Sequence, residues 1–325
     1  MKTNILLFAL AGLVLAACSS DDGGDIPPVV SPPTSLKIDS NNAALVAKVS
    51  YQAAKDIDDV GELDGAMSLV ASGPAGVTKL DGAFRAAAKL GNSGANSVPL
   101  PKTTVMCAQS GEVDVSGQIE DPITPTLNEK DFFEFQFKMC NDGAGITIDG
   151  QLRADVTRFS GDFQGERFDL GMTYTLTALQ IEDGPDVFTS TGNAHVDLDT
   201  LNLPFIATGI NGSMITIDAN TKSTTLTNYS TDLTFDGNFI PAPYTMLAAG
   251  TLESTELTGV VSFSVDFQGV EGEYPSTGEL VVEGELSGLR LVAENNVDVT
   301  IHLDLDGDGM FDDGLIATTW VALLN

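Results

Sequence analysis

Along most of this chain apolar and polar residues alternate with a period of two, and only near its start do they fall at helical spacing. Residues 43–54 follow Asp39, Ser40, Asn41 and Asn42, whose side-chain oxygens can cap a first turn, so the pattern predicts a helix there. Residues 83–90 predict a second, shorter helix, and Gly61, Gly65, Gly73 and Gly76 mark loops between the two. From about Val105 the texture changes. Phe133, Phe135 and Phe137 alternate with Glu134, Gln136 and Lys138, and Tyr174 and Leu176 alternate with Thr173, Thr175 and Thr177, which is a strand signal. Further strands are expected over residues 146–156, 187–198, 223–235, 256–267, 278–283, 289–293, 297–303 and 315–323. Turn-forming runs such as Asn141-Asp142-Gly143 and Asp236-Gly237-Asn238 lie between them. No helix-length run interrupts the series, so hairpins should join neighbours into an antiparallel meander. The expected fold is therefore mainly β. A β domain over residues 96–325 follows a helical, loop-rich segment over residues 37–95 that packs on it. About a dozen strands cannot stay flat and open, so the sheet should curl into a partial barrel or fold into a two-layer sandwich.

Ahead of this body, Lys2 precedes an apolar run over residues 5–15 that ends in Leu15-Ala16-Ala17-Cys18. The run is too short to span a bilayer, and its basic start, apolar middle and small residues before the cysteine are those of a secretory signal. Leu15-Ala16-Ala17-Cys18 resembles the lipobox of bacterial lipoproteins. That resemblance implies a signal peptide over residues 1–17, acylation of Cys18, and anchoring in a lipid bilayer. The alternative is an ordinary signal peptide with an incidental cysteine. Residues 18–36 read as a lipidated, disordered tether, rich in Ser, Asp, Gly and Pro and too poor in apolar residues to repay the entropy of ordering. Proline-rich chain extends about 3 Å per residue, so the tether could hold the body as much as ~50 Å from the bilayer. Ser19 stands where an aspartate tends to retain lipoproteins at the inner membrane, so the same resemblance favours the outer membrane. Three acyl chains would hold far more firmly than the single chain that binds only marginally.

Composition narrows the partners. Hydrophobic residues make up 42% of the chain, enough for a real core. Fifteen basic residues against forty-six acidic ones give a net charge of −31, or −32 once Lys2 is removed with the signal. Nucleic acid is excluded as a partner on electrostatic grounds, as is unaided binding to anionic lipid surfaces. The charge itself needs no more explanation than solubility. With Cys18 lipidated, Cys107 and Cys140 remain, and in an exported protein they most simply form one disulfide. A redox-active role is poorly supported, because there is no Cys-x-x-Cys and the only nearby basic groups are Lys102 and Lys138.

The sharpest chemical motif is Asp304-Leu305-Asp306-Gly307-Asp308-Gly309-Met310-Phe311-Asp312-Asp313-Gly314. Oxygens at every second position can converge on one cation, with Gly309 permitting the turn between them. The candidate ligands are the side chains of Asp304, Asp306, Asp308 and Asp312 and the carbonyl of Met310, and calcium, as a structural ion, is the cation such oxygens suit. The spacing resembles the calcium loops of the integrin-type β-propeller repeat and, in its first half, the EF-hand. A helical EF-hand is contradicted by the strand-like flanks and by Leu315 where a glutamate would stand. The loop occurs once, whereas a propeller would repeat it. Its alternative reading is an acidic hairpin turn holding no ion. The stretch from Tyr274 to Trp320 resembles the C-terminal part of a group of uncharacterised bacterial lipoproteins, and that resemblance carries no activity.

Catalytic templates find little purchase. His195 and His302 both sit in strand-like runs, and H-E-x-x-H, P-loop and G-x-S-x-G motifs are absent from the sequence. Gly91-Asn92-Ser93-Gly94 resembles a serine-protease nucleophile loop only superficially. Carboxylate pairs are too abundant to locate a glycosidase dyad, and one Trp and five Tyr supply few sugar-stacking rings. Two readings from different classes follow. One is a non-enzymatic, lipid-anchored envelope module, calcium-stabilised, that meets an unknown envelope protein. The other is a carrier of an apolar ligand in the concave face of the sheet, resembling the half-barrels of lipid carriers in architecture alone. An enzyme is the third. A solid core packed by Phe133, Phe135, Phe137, Phe263 and Phe267 suits the module; an apolar cavity covered by the 43–54 helix suits the carrier.

Overall fold

The computed structural model describes residues 34–61, 98–120, 127–141, 146–162, 167–183, 186–219 and 221–325. The signal peptide, Cys18, the second helix expected over residues 83–90 and the Gly91–Gly94 run lie outside the described residues. Residues Thr34–Asn325 form one compact unit. Helix α1 (Ala43–Gly61) is followed by strands β1 (Val98–Met106), β2 (Ser110–Ile119), β3 (Phe132–Asn141), β4 (Ile146–Asp162), β5 (Arg167–Asp183), β6 (Asp186–Asp199) and β7 (Phe205–Ala219). Then come β8 (Lys222–Asp236), β9 (Pro243–Ser254), β10 (Val260–Val270), β11 (Thr277–Gly284), β12 (Ser287–Ala293), β13 (Asp298–Asp304), β14 (Gly314–Thr319) and a short helix α2 (Trp320–Leu324). Among the described residues, the fourteen strands belong to one sheet in sequence order, each antiparallel to its chain neighbour, with β1 and β14 at the open edges. The mainly β antiparallel meander expected from the sequence is thus the architecture observed.

The period-two pattern explains how the sheet buries itself. In β10, Val261, Phe263, Val265 and Phe267 face inward and are buried, while Ser262, Ser264, Asp266 and Gln268 face outward and are exposed. Phe133, Phe135 and Phe137 of β3 are likewise buried. Helix α1 touches β7, β8, β9, β11, β12 and β13. Its first turn is organised by Asp39, whose carboxylate accepts the N–H groups of Asn41 and Asn42, while the Asn42 side chain accepts the N–H of Asp39. Those two N–H groups hold the Asp39 carboxyl below its ordinary pKa.

Burial around α1 reports on the curvature of the sheet. Ala43, Val46, Ala47, Val49, Ser50, Tyr51, Ala53 and Ala54 are all buried. At about 100° per residue these positions cover roughly 200° of the helix circumference, about twice the apolar stripe of a helix lying on a flat surface. A sheet that curls around the helix accounts for that arc. Midway along α1, the Tyr51 ring lies 4.9 Å from the ring of Trp320 and 6.0 Å from that of Phe267.

Four local features depart from the sequence reading. The tether expected to run through residue 36 gives way two residues earlier: the Leu36 N–H donates to the Val260 carbonyl (2.9 Å) and the Glu285 N–H to the Leu36 carbonyl (2.8 Å). Leu36 and Ile38 are buried, so this stretch has enough apolar surface to join the body. Strand β10 begins at Val260, because residues 255–259 turn before it. The strand expected over residues 315–323 stops at Thr319, whose hydroxyl accepts the Ala322 N–H (3.1 Å) and caps α2. There Trp320 turns inward and its indole N–H donates to the carbonyls of Pro275 and Asn295. Finally, β1, β2, β7 and β9 are not among the expected strands: Gly209 and Gly212 interrupt the alternation of β7, and Ala248, Ala249 and Gly250 blur that of β9.

Cys107 and Cys140 form a disulfide, with Cα atoms 5.4 Å apart across a sequence separation of 33. On β2 the Asp114 carboxylate receives Lys102 and Lys138 at 2.8 Å each and the Thr104 hydroxyl at 2.6 Å. Hydrogen bonds from the two lysines hold the Asp114 carboxyl well below the usual carboxylate range.

Candidate functional site

The acidic loop joins β13 to β14. Leu303 and Gly314 are the last pair of that ladder, so Asp304 and Asp313 stand just beyond it, at the mouth of the loop. Asp304 is only 4% exposed, and its two oxygens accept the N–H groups of Gly307 (2.7 Å) and Gly309 (2.9 Å). Gly307 and Gly309 both have positive φ, at 76° and 85°. A Cβ at Gly307 would strike the Leu286 backbone, so glycine is required there both for conformation and for space. The Asp313 carboxylate accepts the Leu305 N–H at 2.6 Å, tying the two sides of the mouth together.

Carboxylate oxygens of Asp304, Asp306 and Asp313 lie within 4.8 Å of one another. Two oxygens each about 2.4 Å from a shared calcium ion stand no more than ~4.8 Å apart, so the grouping meets the spacing that a shared ion requires. A carboxylate oxygen that accepts one N–H keeps a second lone pair for a cation, so the bonds to Asp304 and Asp313 do not spend their capacity. The grouping differs from the spacing-based ligand set. Asp304 and Asp306 are brought together as expected, and Asp313 joins them. Asp308 instead accepts the Met310 N–H (2.7 Å), and the exposed Asp312 is outside the cluster. The sequence signal for Asp313 was the hairpin itself: whichever residue precedes the first pair of β14 must face Asp304.

Neither histidine belongs to this loop cluster. His302 pairs across to Arg290 and lies beside the Thr300 hydroxyl at 3.4 Å. His195 sits between the Thr173 hydroxyl, 3.2 Å from Nδ1, and the Asp197 carboxylate, 3.3 Å from Nε2. A hydroxyl, an imidazole and a carboxylate in a row are the raw material of nucleophilic catalysis. Here they lie on the interior strands β5 and β6, with Thr173 paired to His195 across the ladder. Asp197 is also paired with Arg158, which grips Asp169 with two bonds of 2.8 Å. Together these groups form a charge-balancing network on the outer face of the sheet. Comparison with protein-family models, curated proteins and solved structures returned no match to the chain.

Proposed function

We propose that the protein is a non-enzymatic, lipid-anchored envelope protein of the outer membrane, in which Cys18 carries the anchor and the curled sheet is an interaction module. The observation that carries the reading is the lipobox, Leu15 to Cys18, followed by a short tether that reaches the body at Thr34. The carbonyl of Thr34 accepts the Val260 N–H at 3.0 Å, so the anchor would join the same end of the sheet that carries the acidic loop. The carboxylates of Asp304, Asp306 and Asp313 support one calcium ion, which would lock the β13–β14 hairpin by neutralising their mutual repulsion. Packing favours the module over the carrier. Phe133, Phe135, Phe137, Phe263 and Phe267 are buried and α1 lies in the concavity, where a carrier needs open volume.

Labelling with a palmitate analogue in a Gram-negative host tests the anchor. The wild-type chain should incorporate label and fractionate with the outer membrane, and Cys18→Ser should do neither. Equal labelling of the two chains would overturn the anchored reading.

A further inference from the structure

A groove of about 620 Å³ lies at the ends of strands β6 to β11 opposite the acidic loop. Its floor includes a row of side chains paired strand to strand, Asp199 with Ala207, Ala207 with Thr234, Thr234 with Thr245, Thr245 with Gln268, and Gln268 with Thr277, and Ile206, Phe235, Tyr244 and Gly269 of the alternate row also line it. Six strands at about 4.8 Å spacing make this floor ~24 Å long, running across the strands. Asp236 and the ring of Phe205, itself 52% exposed, border one side.

The lining selects among ligand classes. It contains no lysine, arginine or histidine, and its acidic residues are Asp199 and Asp236, so an anionic ligand is disfavoured. A lipid chain would cover the hydroxyls of Thr234, Thr245 and Thr277 and the amide of Gln268 without giving them partners, which is costly. An extended peptide would gain most from a free strand edge, whereas all six of these strands are interior and their backbone groups are paired. An uncharged ligand that is extended and dense in hydroxyl groups meets every requirement. Hydroxyls can exchange hydrogen bonds with the threonine, glutamine and carboxylate row, while the C–H face of a sugar ring packs on Phe205.

We infer that this groove binds an uncharged oligosaccharide laid across strands β6 to β11. The inference rests on the reading of the sheet as an interaction module and names the chemistry of its partner. Its test uses the full chain in detergent micelles, titrated calorimetrically with cellohexaose, maltohexaose, laminarihexaose and chitohexaose, and with hexagalacturonate as the charged control. At least one neutral hexamer should bind saturably and the charged control should not. Phe205→Ala and Gln268→Ala, both exposed and expected to melt like wild type, should each weaken binding by about tenfold. The inference is overturned if none of the four neutral hexamers binds, if the charged control binds as well as they do, or if both variants keep wild-type affinity. Failure here alongside Cys18-dependent labelling would remove the oligosaccharide and leave the anchor standing.

Discussion

Replacing Tyr51 by alanine measures how far α1 belongs to the core. The Tyr51 ring is buried against Phe267 and Trp320, and Trp320 in turn stacks on Tyr274 at 5.8 Å. Truncation leaves a cavity beside two aromatic rings, and buried aromatic-to-alanine changes cost about 3–5 kcal/mol. The compact unit has roughly 290 residues, whose unfolding entropy at about 2.1 cal/mol/K each is ~0.6 kcal/mol/K. A loss of about 4 kcal/mol should therefore lower the melting temperature by about 7 °C. Circular dichroism gives the melting curve. Because the chain has a single tryptophan, fluorescence reports on the same cluster, and its emission should move to the red in the folded variant. Tyr51→Phe keeps the ring and should stay within about 1 kcal/mol of wild type. A melting temperature within about 2 °C of wild type and unmoved emission in Tyr51→Ala would refute the claim that the sheet is built around this helix.

Three further outcomes follow from the packing and the charges. Cys107→Ser with Cys140→Ser opens a loop with a sequence separation of 33, which should cost roughly 3–4 kcal/mol in urea denaturation; a loss under about 1 kcal/mol would contradict the chain-entropy account. Ser50→Ala should stabilise by up to about 1 kcal/mol, since its buried hydroxyl has no partner among the described residues and alanine is the better helix former; destabilisation beyond about 1 kcal/mol would be the contrary result. For Asp114, whose folded-state pKa is depressed, the stabilising contribution is complete above the unfolded value of about 3.8 and drains away as pH falls below it. Melting curves of wild type and Asp114→Asn should therefore be well separated at neutral pH and converge in strong acid. A gap that stays constant down to about pH 2 would mean the Lys102 and Lys138 contacts contribute nothing.

The sheet was legible because its inner face is apolar at every second residue, as in β3 and β10, and because polar turns punctuate it. Strands β1, β2, β7 and β9 were not; for β7 and β9 the pairing is fixed by neighbours on both sides and not by their own composition. Gly209 and Gly212 are tolerated inside β7 because the flanking strands hold it in register. The turn at Thr319 escaped notice because Trp320 fits a strand pattern as well as a helical one, and only its partners, Pro275 and Asn295, explain the inward turn. Within the acidic loop, residue spacing located Asp304 and Asp306, but Asp313 enters through the geometry of the hairpin mouth. The oligosaccharide groove had no linear signal at all. The six residues of its paired row are drawn from six strands between Asp199 and Thr277, and only the register of the meander aligns them.

Native mass spectrometry of the mature protein, extracted from membranes in mild detergent with calcium present, tests the anchored, calcium-closed module most directly. The account predicts a chain beginning at an acylated Cys18 and carrying one calcium in place of two protons, with the calcium lost in Asp306→Ala combined with Asp313→Ala. An unmodified Cys18, a wild-type chain that carries no calcium, or a double variant that retains it would contradict it.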